Sequence, residues 1–158
     1  MKKAWRIVRK KRLPEAFTGE GPRLGGGRWN HIGIPVAYVS ETLSLAALEL
    51  FVHFTRKDMK LGKSLFAIPV FIPDSLKIEE VCIKDLKSDW RALPPSNSTK
   101  NIGTEWVRKG SSPILRVPSI IILDEYNLVL NPKHGDFIKI KIGEAQPFTL
   151  DERIWNLN

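Results

Sequence analysis

A chain of 158 residues with 42% apolar and 27% charged side chains has the size and balance of one domain, spanning 1–158, that can bury a core without disulfides or a structural metal. No apolar run approaches the roughly 18 residues of a membrane-spanning helix, and the basic start MKKAWRIVRKKR leads into no apolar export-signal core, so the expected setting is soluble, with no membrane. The formal net charge of +8, with seven of the first twelve residues Lys or Arg, implies nucleic acid, an anionic small molecule or an acidic protein nearby.

In chain order, Ala4 to Val8 reads as a short strand and is followed by the glycine-rich loop GEGPRLGGGRWN at 19–30. The run IPVAYVS then alternates so that Val36, Tyr38 and Ser40 share one strand face. From Glu41 to about Phe54, apolar residues recur at three- and four-residue steps, which predicts an amphipathic helix with Ser40 or Thr42 as its N-cap. LFAIPVFI at 65–72 is a strand that Pro69 assigns to an edge or a bulge. Residues 84–99 read as loop, because PP and the Ser/Asn run stop both helix and sheet, and a short helix covers Thr104 to Lys109. PILRV, SIIIL and FIKIKI supply three further strands, with the turn residues NPKHG between them. Several strands and one or two helices in no βαβ alternation argue for an α+β fold.

Chemistry has few places to sit. Cys82 is the single cysteine, which excludes an internal disulfide framework and suits a reducing cytoplasm; it reads as a small strand residue. Glu49 and His53 lack the second histidine of HExxH, and His31 and His134 stand in turns, so no metal is expected. There is no G-x-S-x-G elbow, zinc-finger spacing, helix-turn-helix or RNA-recognition motif. Glu49 stands out as the lone charge between Leu45 and Val52, about a quarter-turn off the apolar stripe, as a rim residue paired with His53 or as a carboxylate held for a purpose.

A glycine/arginine loop, a strand tyrosine and one helical carboxylate would suit cleavage of the nicotinamide–ribose bond of NAD. The leaving group is cationic before departure and neutral afterwards, so no general acid is needed and one glutamate can stabilise the oxocarbenium-like ribose. An arginine would hold the diphosphate, and a tyrosine ring could stack on nicotinamide.

The blocks GEGPRLGGGRWN, PVAYVSETLSLAALEL, ILRVPSIII, NLVLNPKH and FTLDERIW, in that order, resemble those of the RES domain, the toxin half of bacterial toxin–antitoxin pairs. The resemblance implies an ADP-ribosyltransferase-like α+β domain with a split mixed or antiparallel sheet and flanking helices. It implies a bacterial cytoplasmic toxin that consumes NAD as substrate, with no bound cofactor, by hydrolysis or by phosphorolysis with inorganic phosphate as co-substrate. Modification of a protein by ADP-ribosylation is the alternative activity, and a non-catalytic basic module for nucleic acid or an acidic partner is the alternative class. The partner implied is an Xre-type helix-turn-helix antitoxin, which would make any nucleic-acid contact indirect; a homodimer stays open. Carried over residue by residue, the catalytic set is Glu49, Tyr38 and Arg28, and the NAD-binding set is Arg28, Tyr38, Ser119 and Asn131, with the glycines letting the backbone and Arg28 close on the phosphates. Thr104, in a place usually acidic, and Leu150, where an aromatic is usual, depart from the pattern.

Overall fold

The computed structural model describes residues 1–54 and 64–154. Its strands are β1 (Lys2–Arg9), β2 (Ala37–Ser40), β3 (Leu65–Ile72), β4 (Ile78–Glu80), β5 (Ile114–Pro118), β6 (Tyr126–Leu130), β7 (Lys141–Ile142) and β8 (Gln146–Phe148), and its α-helices are α1 (Glu20–Gly25), α2 (Leu43–Phe51) and α3 (Asn97–Lys109). The strands join one mixed sheet in the order β4-β5-β6-β2-β1-β3-β7, with β8 beside β7 on β3. Among the described residues only β4 and β5 run parallel. Among the described residues β1 and β2 share the single register pair Trp5 with Ser40, whereas β2 and β6 pair from Ala37–Leu130 to Ser40–Asn127. The expected split thus lies between β1 and β2, where the sheet is joined at one point.

Alternation along the strands gives the sheet two apolar faces. One face carries Ala4, Ala37, Val39, Ile114, Leu128 and Leu130. The other carries Val36, Leu115, Val117 and Val129 under Trp29 and Trp106, and continues as Ile7, Leu65 and Ala67 under Ala46 and Ala47 of α2. Each Val, Leu or Ile so buried contributes roughly 1.5–3 kcal/mol, and the small alanines let the helix approach the sheet. Glu49 therefore comes in over the β2–β6 side, where this core ends.

Several sequence expectations need correction. The helix expected to reach Phe54 ends at Phe51, and its N-cap is Thr42, whose Oγ1 accepts the Leu45 amide at 3.0 Å. β3 lies inside the sheet rather than at its edge. Pro69 is tolerated because β8 pairs with residues 65–67 and β7 with 70–71, so Pro69 falls between them and its carbonyl accepts from Gly143 N at 2.8 Å. Helix α3 begins at Asn97, with Ser96 as its N-cap residue, so part of the polar run expected as loop is the helix's first turn. SIIIL is no strand: the Ser119 hydroxyl accepts from the amides of Ile121 (3.0 Å) and Ile122 (3.3 Å), turning the chain, and the strand is YNLVL instead. FIKIKI splits into a 3-10 turn over Gly135–Lys139 and the short β7. Cys82 is exposed and precedes a 3-10 turn instead of sitting in a strand.

Candidate active site

The site grows from the end of β2. Thr42 caps α2 and its hydroxyl donates to Glu125 Oε2 at 2.9 Å, so the start of the helix is tied to the segment entering β6. Seven residues on from Thr42, Glu49 faces Asn127 of β6 and the Ser119 turn. Asn127 Nδ2 donates to Glu49 Oε1 at 2.5 Å, and Ser119 Oγ donates to the same oxygen at 3.1 Å. The pairing of Glu49 with His53 is corrected by these bonds; His53 is exposed. Ser119 is buried, and Asn127 is fixed by Ser40, which donates to its Oδ1 at 2.7 Å.

The glycine-rich stretch is not one open loop. It contains α1, entered at Gly19 with φ 79° and left at Gly26 with φ 69°, a backbone that side chains rarely adopt. At Gly27 a Cβ would lie 2.7 Å from both Tyr38 Oη and Asn30 Oδ1, so here the missing side chain admits the tyrosine. The Tyr38 hydroxyl accepts from Trp29 N at 3.1 Å and donates to Asn30 Oδ1 at 2.7 Å, and burial holds its pKa above the usual phenol value. Asn30 is fully buried and its amide donates to the carbonyls of Pro22, His31 and Ile34. From the other side, Gly103 of α3 lets the Trp29 carbonyl approach, and Thr104 Oγ1 accepts the His31 amide at 3.1 Å. Thr104 thus has a packing role that needs no charge.

Arg28 projects from this scaffold. Its guanidinium donates to the carbonyls of Trp90 (2.7 Å) and Ala92 (3.1 Å); burial lowers its pKa, while the Glu49 carboxylate acts in the opposite sense. Arg28, Tyr38, Glu49 and Ser119 are therefore linked by hydrogen bonds or by field to one region. Asn131 is apart from the carboxylate: it lies four residues beyond Asn127, about 13 Å along the strand, and its Oδ1 accepts from Lys133 N at 3.0 Å in a turn.

Sequence reading missed Asn127, Ser40, Asn30 and Arg6. Arg6 sits where β1 leaves β2: Nη1 donates to the Tyr38 carbonyl at 2.8 Å, Nε is buried with no hydrogen-bond partner among the described residues, and burial lowers its pKa to about 10. It lines a cleft of about 350 Å³ with Arg9, Lys11, Arg12, Glu15 and Leu50, the neighbour of Glu49. A larger cleft, about 520 Å³, opens around Arg116, whose guanidinium is already paired with Glu41 (2.6 Å) and Glu80 (3.0 Å). Among the described residues no group of three His, Cys, Asp or Glu is placed to hold a metal, and no helix is long and apolar enough to cross a membrane.

The arrangement provides one carboxylate with a fixed oxygen, a nearby guanidinium, and an adjoining cleft rich in cations. Known proteins share the frame. The chain is 39% identical over 151 residues to "Toxin Res" of Photorhabdus laumondii, covering 95% of each chain. It is 32% identical to the "Prs ADP-ribosylating toxin" of a Sphingobium species, covering 95% of this chain and 94% of that one. In three dimensions it superposes on a chain of the M. tuberculosis MbcT–MbcA toxin–antitoxin complex with a TM-score of 0.77 at 16% identity, over 94% of this chain and 84% of that one, so the two chains share a fold, and the α+β class expected from the sequence is borne out. The family model described as RES domain matches residues 3–151, and with relatives of this similarity over nearly the full length the chain belongs to the RES domain family.

Proposed function

We propose that this chain is an enzymatic toxin that breaks the nicotinamide–ribose bond of NAD. The observation that carries the reading is the Glu49 carboxylate, with Oε1 held by Ser119 and Asn127 and with Arg28 acting on it electrostatically. In the reaction the C–N bond to C1′ of the ribose breaks, nicotinamide leaves as a neutral molecule with the bonding electron pair, and positive charge develops on the ribose. Glu49 faces that charge. Water or phosphate oxygen then bonds to C1′, and water loses its proton to solvent. The half-buried Arg6, with its buried Nε, and the basic cleft beside Leu50 suit the diphosphate, because an anion would offset the cost of a partly desolvated guanidinium. Arg28 adds a second cation nearer the carboxylate. Tyr38 serves by holding the Arg28 loop; its half-buried ring packs against the core around Trp29 and Val129, and the part of it left uncovered is the proposed wall for nicotinamide.

Protein ADP-ribosylation is the second reading, favoured by the similarity to a toxin named for that activity. Asn131 is kept in the proposal as a contact for the distal part of the substrate only. The net charge of +8 suits an acidic antitoxin covering the cleft, of the Xre type that the sequence resemblance implies, acting with the toxin in the cytoplasm. To test the reading, purified protein is incubated with NAD, with and without phosphate and with cell extract, and products are weighed. ADP-ribose, ADP-ribose 1″-phosphate or a protein adduct heavier by one ADP-ribosyl group separates hydrolysis, phosphorolysis and transfer. Intact NAD in all three arms would refute the proposal.

A further inference from the structure

We propose that Asn127, oriented by Ser40, is a positioning residue that selects which oxygen of Glu49 meets the substrate; this rests on the NAD-cleaving reading above. Asn127 stands directly opposite Ser40 in the β2–β6 register, so both side chains rise from one face beneath Glu49. A carboxamide has a donating and an accepting end, and which end faces the carboxylate decides whether the contact attracts or repels. Ser40 Oγ donates to Asn127 Oδ1 at 2.7 Å, which leaves Nδ2 to donate to Glu49 Oε1 at 2.5 Å. The second donor is oriented in the same way: Ser119 Oγ accepts two backbone amides, at 3.0 and 3.3 Å, and turns its proton to Oε1 at 3.1 Å.

Two donors thus converge on Oε1, and among the described residues no hydrogen bond reaches Oε2. The terminal torsion of a glutamate is soft and broad, so a carboxylate without such partners samples many orientations. Asn127 and Ser119 remove that freedom before substrate arrives and leave Oε2 as the oxygen that no described residue engages, which is preorganisation of the kind that acts on turnover more than on binding. The segment 125–127 also holds α2 at two places, through Glu125 with Thr42 at its start and Asn127 with Glu49 near its end. A shift of β6 would move the carboxylate with it.

The test is steady-state nicotinamide release by full-length Asn127→Ala, Asn127→Asp and Ser40→Ala, alone and in a Glu49→Gln background, each first checked by circular dichroism and melting. Asn127→Ala should lower kcat about tenfold to thirtyfold with KM within about twofold, and Ser40→Ala about threefold in the same parameter. Asn127→Asp keeps the size of the side chain but removes the donor, so its loss should be at least that of the alanine variant. In the Glu49→Gln background, Asn127→Ala should cost less than about twofold more, because a residue acting through Glu49 has nothing left to position. A wild-type kcat for Asn127→Asp, or a loss that multiplies fully with that of Glu49→Gln, would overturn the assignment. Should the alanine variant fail to fold, Asn127→Asp and Ser40→Ala make the same comparison. If Glu49→Gln itself works at the wild-type rate, the NAD-cleaving reading fails; if Glu49→Gln is impaired and the Asn127 variants are not, the positioning role alone fails.

Discussion

Replacing Tyr38 with phenylalanine removes the hydroxyl and keeps the ring that packs against the core around Trp29 and Val129. The hydroxyl is the only atom removed, yet it holds two partners: it accepts from Trp29 N at 3.1 Å and donates to the fully buried Asn30 at 2.7 Å. Phenylalanine would leave a backbone donor and an amide oxygen without those bonds, at about 1–3 kcal/mol for each one that water cannot reach. Because Gly27 packs against the same oxygen, some relaxation is available, and a net loss of about 2–4 kcal/mol is expected. At about 2–4 °C per kcal/mol for a chain of this size, the midpoint should fall by roughly 4–16 °C. Thermal and urea unfolding of both proteins, with the urea slope compared, is the assay. Below the transition the variant should still release nicotinamide, with its main defect in KM, since Trp29 and Asn30 hold the Arg28 loop. A Tyr38→Phe protein that melts within about 1 °C of wild type would refute the argument that the hydroxyl organises the loop.

Gly27→Ala places a methyl group 2.7 Å from Tyr38 Oη and Asn30 Oδ1, so it should destabilise by about 1–3 kcal/mol, read in the same melts; an unchanged midpoint would show that the loop can yield. Thr42→Ala removes the cap of α2 and the bond to Glu125, with an expected cost of about 1 kcal/mol and a fall in kcat, because α2 carries Glu49; equal kcat at equal folding would separate the cap from the site. Arg28→Ala should weaken NAD binding by more than about tenfold in calorimetry while lowering the midpoint by only a few degrees, and Arg28→Lys should recover part of the affinity, since a point charge lacks the planar fork. Unchanged affinity in the alanine variant would remove Arg28 from the site.

The amphipathic period of α2 and the alternation of Val36, Tyr38 and Ser40 were legible in the sequence, because each is a local pattern that the core simply reads out. What escaped were features decided by distant partners. Asn127 is one polar residue in an apolar strand, and only the register opposite Ser40 makes it a neighbour of Glu49. Arg6 is one of seven cations in the first twelve residues, and nothing local marks it as the one whose buried Nε finds no hydrogen-bond partner among the described residues. SIIIL has strand composition, but the Ser119 hydroxyl competes for the backbone and turns the chain, a contest that propensity does not weigh. The glycine-rich run was legible as backbone that something approaches closely, but at Gly27 the neighbour that approaches is a tyrosine hydroxyl from the next strand.

The account turns on Glu49 as the single carboxylate of the reaction. Nicotinamide release from NAD should therefore be measured for the wild type and for Glu49→Gln at matched folded concentration, since glutamine keeps the size and the helix propensity and removes the charge. The account predicts steady release by the wild type and a loss of about a hundredfold in the variant, equivalent to about 2.7 kcal/mol of transition-state stabilisation, with an unchanged melting midpoint. Release by Glu49→Gln at the wild-type rate, or none from the folded wild type, would contradict it.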